Sequence, residues 1–302
     1  MLLASGGTIA QPFDEGITAI DRRRERRVEP MHHPAHRPAS VTARESEMGG
    51  RIWVAMIAAT LGSTALAQTS KPPAPDYAAA LADAKRPAEA RALDESRKPA
   101  ETLAFLGLMP GMKAADVMTG SGYWAEIMAD AVGPKGKVTA FEPNQFYTQP
   151  EEQKKWQALV ARRPEVNWVR YPFEAFTAPA GSFDLTIINL SYHDLYWQSE
   201  KFGIPRTDPA AFVKALYAAT KPGGVVGIID HVGAPGDTRA IVDKVHRIDP
   251  ATVKADFAAA GFMLEAESPL LANPADDHSK LVFDPSVRGK TDRFLFRFRK
   301  PK

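Results

Sequence analysis

The chain has 302 residues, 44% hydrophobic and 25% charged, with 38 basic against 36 acidic side chains and a formal net charge of +2. That composition excludes a disordered, collagen-like or multi-span membrane protein, and the near-zero charge excludes a global field that would hold nucleic acid. With no cysteine in the chain, disulfide scaffolds, thiolate metal sites and cysteine nucleophiles are excluded together.

Residues 1–47 show little apolar periodicity, the basic run Asp21-Arg-Arg-Arg-Glu-Arg-Arg27, and His32, His33 and His36 beside prolines. They read as a disordered or mis-assigned N-terminal extension. Residues 48–67 combine a short basic start, an apolar core and the small-residue ending Ala65-Leu-Ala67, the pattern of a signal peptide. The apolar core falls short of the ~20 residues that span a bilayer. The expectation is an exported chain, periplasmic or secreted, initiated at Met48 and cleaved after Ala67. Residues 68–108 follow as a linker and N-terminal helices, at about 77–85, 87–95 and 99–107, and residues 109–302 as the main domain.

From Lys113 onward strands and helices alternate. The strands fall at Lys113–Met118, Lys137–Glu142, Val166–Tyr171, Phe183–Leu190, Gly224–Asp230, Phe262–Ser268 and Arg293–Arg299, with helices at about 123–132, 145–161, 208–220 and 249–260. The runs 183–190 and 225–229 are almost continuously apolar, as central parallel strands covered on both faces must be. The alternation predicts an α/β fold with a doubly wound, mostly parallel, Rossmann-like sheet of seven strands. Only a loop, 269–292, precedes the last strand, so that strand is expected to run antiparallel.

The first strand ends in Ala115-Asp-Val-Met-Thr-Gly-Ser-Gly-Tyr123 and leads directly into a helix. Glycines there let the backbone turn tightly against a ligand at the helix N-terminus. Glu142 ends the second strand about 20 residues after Gly120, the spacing of a carboxylate that takes nucleoside ribose hydroxyls. Gly120-Ser-Gly-Tyr-Trp-Ala125 also fits the dinucleotide fingerprint, which keeps an NAD(P)-dependent oxidoreductase open. Tyr217-Ala-Ala-Thr-Lys221 imitates the Tyr-x-x-x-Lys pair of such enzymes, but Lys221 closes its helix against Pro222-Gly-Gly224.

Asp116-Val-Met-Thr-Gly-Ser-Gly122, Phe141-Glu-Pro143, Ser182-Phe-Asp-Leu-Thr-Ile-Ile188 and Leu216-Tyr-Ala-Ala-Thr-Lys-Pro-Gly-Gly224 resemble the ordered motifs of class I S-adenosylmethionine-dependent methyltransferases over about residues 105–300. Gly122-Tyr-Trp124, Ser191-Tyr-His-Asp194, His246-Arg-Ile-Asp-Pro250 and Arg288-Gly-Lys-Thr-Asp-Arg-Phe294 are similar to a group of exported bacterial predicted methyltransferases of unknown substrate. The resemblance implies a seven-stranded sheet with a reversed last strand and S-adenosyl-L-methionine as cofactor. Carried over, Asp116 opens the first motif, and Thr119, Gly120, Ser121, Gly122 and Tyr123 hold the methionine part. Glu142 binds the ribose and Asn189 lines the reaction site. Two positions depart from the pattern. Met118 replaces the first glycine, and Pro172, with Glu174 nearby, stands where relatives place an adenine-contacting Asp.

On the acceptor side, Asn189-Leu-Ser-Tyr-His-Asp-Leu-Tyr-Trp197 and Asp230-His231 fall beyond strand ends, where open α/β sheets bind ligands. His193 or His231 is the candidate base, with Asp194 or Asp230 fixing its tautomer, and Tyr192, Tyr196 and Trp197 a candidate aromatic wall. Against this, adjacent His193 and Asp194 diverge on a regular backbone and would then only cap their loop. His246 reads as a lid or capping residue. His278 beside Asp276-Asp277 reads as a polar loop, and no metal site is expected. The leading expectation is therefore methyl transfer to a small molecule, with neither nucleic acid nor a membrane span involved. The alternative is an exported, non-catalytic binding protein that keeps the fold.

Overall fold

A computed structural model describes residues 74–302; the N-terminal extension and the signal-peptide pattern lie outside the described residues. In chain order the elements are α1 (Tyr77–Ala82), α2 (Ala88–Arg91), α3 (Asp94–Arg97), α4 (Pro99–Leu106), β1 (Lys113–Val117), α5 (Tyr123–Val132), β2 (Lys137–Pro143), α6 (Pro150–Arg162), β3 (Val166–Tyr171), β4 (Phe183–Asn189), a 3-10 turn (Tyr192–Tyr196), α7 (Pro209–Ala219), β5 (Thr220–His231), α8 (Thr238–Val245), α9 (Pro250–Ala259), β6 (Met263–Ser268) and β7 (Arg293–Arg299).

The seven strands form one sheet in the order β3-β2-β1-β4-β5-β7-β6. The first five run parallel, and β7 inserts antiparallel between β5 and β6. This is the doubly wound, seven-stranded α/β sheet with a reversed last strand that the sequence predicts. Each face of the sheet builds its own core, because alternate strand residues point to opposite sides. Val226, Ile228, Phe294, Phe296 and Phe298 pack with Phe212, Leu216, Val253 and Phe257 of α7 and α9. Ile187, Ile229 and Leu295 pack on the other face with α5, with Trp156 and Leu159 of α6, and with Leu103 and Leu106 of α4.

The N-terminal segment is seated by a glycine. A Cβ on Gly227 in β5 would stand 2.5 Å from Leu106 Cδ1, so α4 packs where the strand has no side chain. Three boundaries differ from expectation. The stretch 145–149 is loop, because Arg170 donates to the carbonyls of Asn144, Phe146 and Tyr147 and holds it open. β5 starts at Thr220, and Lys221 therefore lies on a strand instead of closing a helix. The helix α8 was not expected; its cap Asp237 accepts from the backbone of Arg239 and Ala240. The loop 269–292 is anchored by fully buried Arg247, which pairs with both oxygens of Asp276 at 2.8 and 3.1 Å and donates to Lys280 O and Val232 O.

Candidate functional site

The crevice lies beyond the carboxyl ends of the parallel strands. At the end of β1, Met118 takes a left-handed φ of 55°, the conformation that the commoner pattern provides with glycine. Its side chain is buried, which offsets a backbone cost of roughly 1–2 kcal/mol. Gly120 and Gly122 also have positive φ, at 59° and 78°. Their reasons differ. A Cβ on Gly122 would stand 2.5 Å from Leu159 Cδ1, so this glycine serves packing against α6. A Cβ on Gly120 would first meet the Tyr147 side chain, whose hydroxyl would be 3.3 Å away.

Asp116, 1% exposed, braces the loop from beneath. Its Oδ2 accepts from Thr119 Oγ1 at 2.5 Å and from the Ala125 amide at 3.0 Å, tying the loop to the first turn of α5. Burial lifts its pKa to about 7, opposed by those two donors and by Arg97. Ser121 is exposed on the loop. Tyr123 is committed elsewhere: its hydroxyl donates to Asp94 at 2.7 Å, fastening the N-terminal segment to the loop.

Glu142, 2% exposed at the end of β2, accepts from the Gly120 amide at 2.7 Å. Burial pushes its pKa well up, partly countered by that amide and by Arg170. Tyr147, which sequence reasoning missed, is carried over Gly120 by the loop that Arg170 clamps. From the other side Trp156 Nε1 donates to Gly120 O at 2.9 Å. Glu174, near the departed adenine position, is exposed and accepts from Gln145 Nε2 at 3.1 Å.

On the acceptor side, Asn189 ends β4 and Leu190 follows with a φ of 57°. The 3-10 turn then places His193 deep in the crevice floor, 3% exposed. Its Nδ1 is 2.8 Å from Asp230 Oδ1, while the His193 amide donates to Asp230 Oδ2 at 2.8 Å. Its Nε2 lies 3.4 Å from Asp194 Oδ1, so the adjacent pair converges instead of diverging. Burial disfavours the imidazolium, but Asp230 and Asp194 outweigh it and raise the pKa to about 9. His193 is thus a cation at neutral pH, which argues against its role as the base. Asp194 is the member with outward access, its side chain 19% exposed. Burial lifts its pKa to about 6, with His193 pulling it down and Asp230 pushing it up. Asp230 stays low despite burial because His193 faces it.

His231 departs from its expected role. Burial holds its pKa down at about 3, and its Nδ1 is engaged with Thr291 Oγ1 at 2.7 Å. That leaves a weakly basic imidazole. The aromatic wall is also rearranged: Tyr192 and Tyr196 both donate to Asp256 Oδ2, at 2.7 and 2.6 Å, and so fasten the 3-10 turn to α9. Trp197 keeps company with His246 at 5.1 Å between ring centroids, and Phe283 lies 5.4 Å from His246 on another side. His246 caps the C-terminus of α8 with a φ of 51°. In the remote loop, His278 pairs with Asp292 at 2.9 Å and Asp277 with Ser279. Lys221 pairs with Asp184 at the opposite end of the strands, away from the crevice, and Tyr217 stacks on Lys300.

The residues 93–155, which include the β1 loop and Glu142, match the family model of protein-L-isoaspartate(D-aspartate) O-methyltransferase. The demethylmenaquinone methyltransferase of a Geobacillus species is 27% identical over 128 residues, 42% of this chain and 48% of that protein. The match thus spans about half the length of the curated relative. Among solved structures, an S-adenosylmethionine-dependent methyltransferase from Aquifex aeolicus superposes with a TM-score of 0.48 at 20% identity, covering 71% of this chain and 98% of its own. The 1,6-didemethyltoxoflavin-N1-methyltransferase of Burkholderia thailandensis, solved with S-adenosylhomocysteine, superposes at 0.45 and 17% identity, covering 70% and 79%.

Proposed function

We propose that this chain transfers a methyl group from S-adenosyl-L-methionine to a small-molecule acceptor. The observation that carries the reading is the buried Glu142 carboxylate held on the amide of Gly120, at adjacent ends of β1 and β2. The family-model match over residues 93–155 spans the same elements and supports it.

The residues present fit such a cofactor. The atoms nearest to a Cβ on Gly120 would be those of the Tyr147 side chain, and the Gly120 amide occupies one oxygen of Glu142. The bound cofactor supplies an electrophilic methyl on a sulfonium. Glu142 takes the ribose hydroxyls, and the Thr119–Tyr123 loop, with the N-terminus of α5 behind it, takes the amino-acid end. On the acceptor side Asp194 accepts the proton that the acceptor loses, from a carboxylate whose pKa of about 6 keeps it ionised at neutral pH. His193, held by Asp230, orients Asp194 and supplies a fixed positive charge beside it. Asn189 at the end of β4 and the ring cluster of Trp197, His246 and Phe283 are the groups we assign to the acceptor.

Calorimetric titration of the full chain with S-adenosylhomocysteine tests this reading. Saturable binding that is lost in Glu142→Ala supports it, and no binding up to millimolar ligand overturns it. Saturable binding of NADH in place of the thioether would favour the oxidoreductase alternative. Export is part of the proposal, resting on the signal-peptide pattern that ends at Ala67. N-terminal sequencing of protein from the periplasm or medium checks it: a chain beginning at Gln68 supports export, and an uncleaved leader overturns it.

A further inference from the structure

An arginine stands beside the β1 loop. Arg97 ends α3, and its guanidinium carbon lies 4.4 Å from the ring centroid of Tyr123, the first residue of α5. Among the described residues its guanidinium makes no hydrogen bond and no ion pair. The acids around it are all engaged. Asp94 is held by both terminal nitrogens of Arg86, at 2.8 and 2.7 Å, and by the Tyr123 hydroxyl. Asp116 is taken by Thr119 and Ala125, and Glu142 by the Gly120 amide.

A second arginine adds to the excess charge. Arg293, 8% exposed at the start of β7, donates from Nη2 to the carbonyl of Ser96 at 2.7 Å, next in sequence to Arg97. Among the described residues its Nε is buried with no hydrogen-bond partner and it forms no ion pair. Burial pushes its pKa down and Arg97 pushes it further the same way. Burial likewise lowers that of Arg97, while Tyr123, Asp116, Tyr147 and Asp94 favour its charge. Sequestering a guanidinium without a counter-charge is unfavourable, and here it coincides with the N-terminus of a ten-residue helix that also favours an anion.

We propose that Arg97 binds the α-carboxylate of the methyl donor's amino-acid end, and that Arg293 positions the segment bearing Arg97 through the Ser96 carbonyl. The assignment rests on the cofactor reading above and names the group that recognises one end of that cofactor. A planar guanidinium offers two parallel N–H donors to a carboxylate, which a lysine ammonium cannot reproduce.

Paired calorimetric titrations test the assignment, using the full chain with S-adenosylhomocysteine and with 5′-methylthioadenosine, which shares the adenosyl thioether but lacks the amino-acid carboxylate. Arg97→Ala is expected to weaken S-adenosylhomocysteine at least tenfold and to leave 5′-methylthioadenosine unchanged, with Arg97→Lys intermediate. Unchanged S-adenosylhomocysteine affinity, or an equal loss for both ligands, overturns the assignment and leaves the cofactor reading standing. If Arg97→Ala fails to fold, Arg97→Lys carries the same comparison. A wild-type chain that binds neither ligand overturns the cofactor reading and this assignment together.

Discussion

The two halves of the crevice are made in different ways. The donor half, around the β1 loop, is shaped by backbone: three alternate left-handed positions at Met118, Gly120 and Gly122 within five residues, braced by Asp116 from the same strand. The acceptor half is shaped by side chains brought together from afar. His193 meets Asp230 across 37 residues, and Tyr192 and Tyr196 meet Asp256 across 64 and 60. A backbone cradle recognises whatever presents hydrogen-bonding groups at one fixed place. An assembly of charged side chains sets a protonation state. The first arrangement suits a constant cofactor and the second a reaction-specific acceptor.

The largest expected effect separates the halves directly. Asp194→Asn should lower the methyl-transfer rate by roughly 10²–10⁴-fold while S-adenosylhomocysteine affinity stays the same; Glu142→Ala should do the reverse, losing affinity first. Rates from a labelled donor, with an acceptor found by screening, check both, and coupled losses in either variant would merge the halves. The same base makes activity rise with pH through about 6, as Asp194 ionises. Asp194→Asn should remove that limb of the profile.

Within the donor half, Gly122→Ala should destabilise by roughly 2–4 kcal/mol, because its Cβ meets Leu159 as well as a strained φ. Gly120→Ala should cost about 1–2 kcal/mol, yet reduce cofactor affinity more than its partner among the folded molecules. Urea unfolding and calorimetry rank the two, and a single common ranking would contradict the division of labour between the glycines.

Within the acceptor half, stability itself should respond to pH. His193 has a folded pKa raised from 6.5 to about 9, so its contribution is fully present below 6.5 and is lost as pH rises through about 9. Urea midpoints measured between pH 6 and 10 should fall over that window in the wild type, and Asp230→Asn should flatten the fall. The smallest effect belongs to the anchors. Tyr196→Phe should cost about 1–2 kcal/mol, since Tyr192 still reaches Asp256. A thermal melt that does not move would show that the second hydroxyl adds nothing.

Much of the donor half was legible in the sequence because its determinants are contiguous. The Thr119–Tyr123 turn between a strand and a helix, and Glu142 at the next strand's end, both stand where the spacing places them. Even the departure at Met118 was visible, although only the structure shows that methionine adopts the glycine conformation there. Neither Arg97 nor Tyr147 carries a local signal: Arg97 ends α3 beside Ser96, whose carbonyl Arg293 holds, and Tyr147 lies on the loop that Arg170 clamps. In the acceptor half the sequence groups the residues, while their mutual geometry comes from the fold. His193, Asp194 and Asp230 were named, but which imidazole nitrogen faces which carboxylate depends on a 3-10 turn that no periodicity announces. For His231, the other candidate base, burial holds the pKa down and Thr291 Oγ1 engages Nδ1, neither of which the sequence announces.

By itself, then, the sequence determined the sheet, through the apolar runs of the central strands and the alternating phenylalanines of β7, because periodicity records which faces are buried. It also determined the backbone turn after β1, because glycine positions are written residue by residue. Only the tertiary structure decided the two carboxylates that face His193, the partial exposure of Asp194 and the stacking of Arg97 on Tyr123. Each of these depends on how many charges converge and how much water is excluded, and both are properties of packing between segments far apart in the chain.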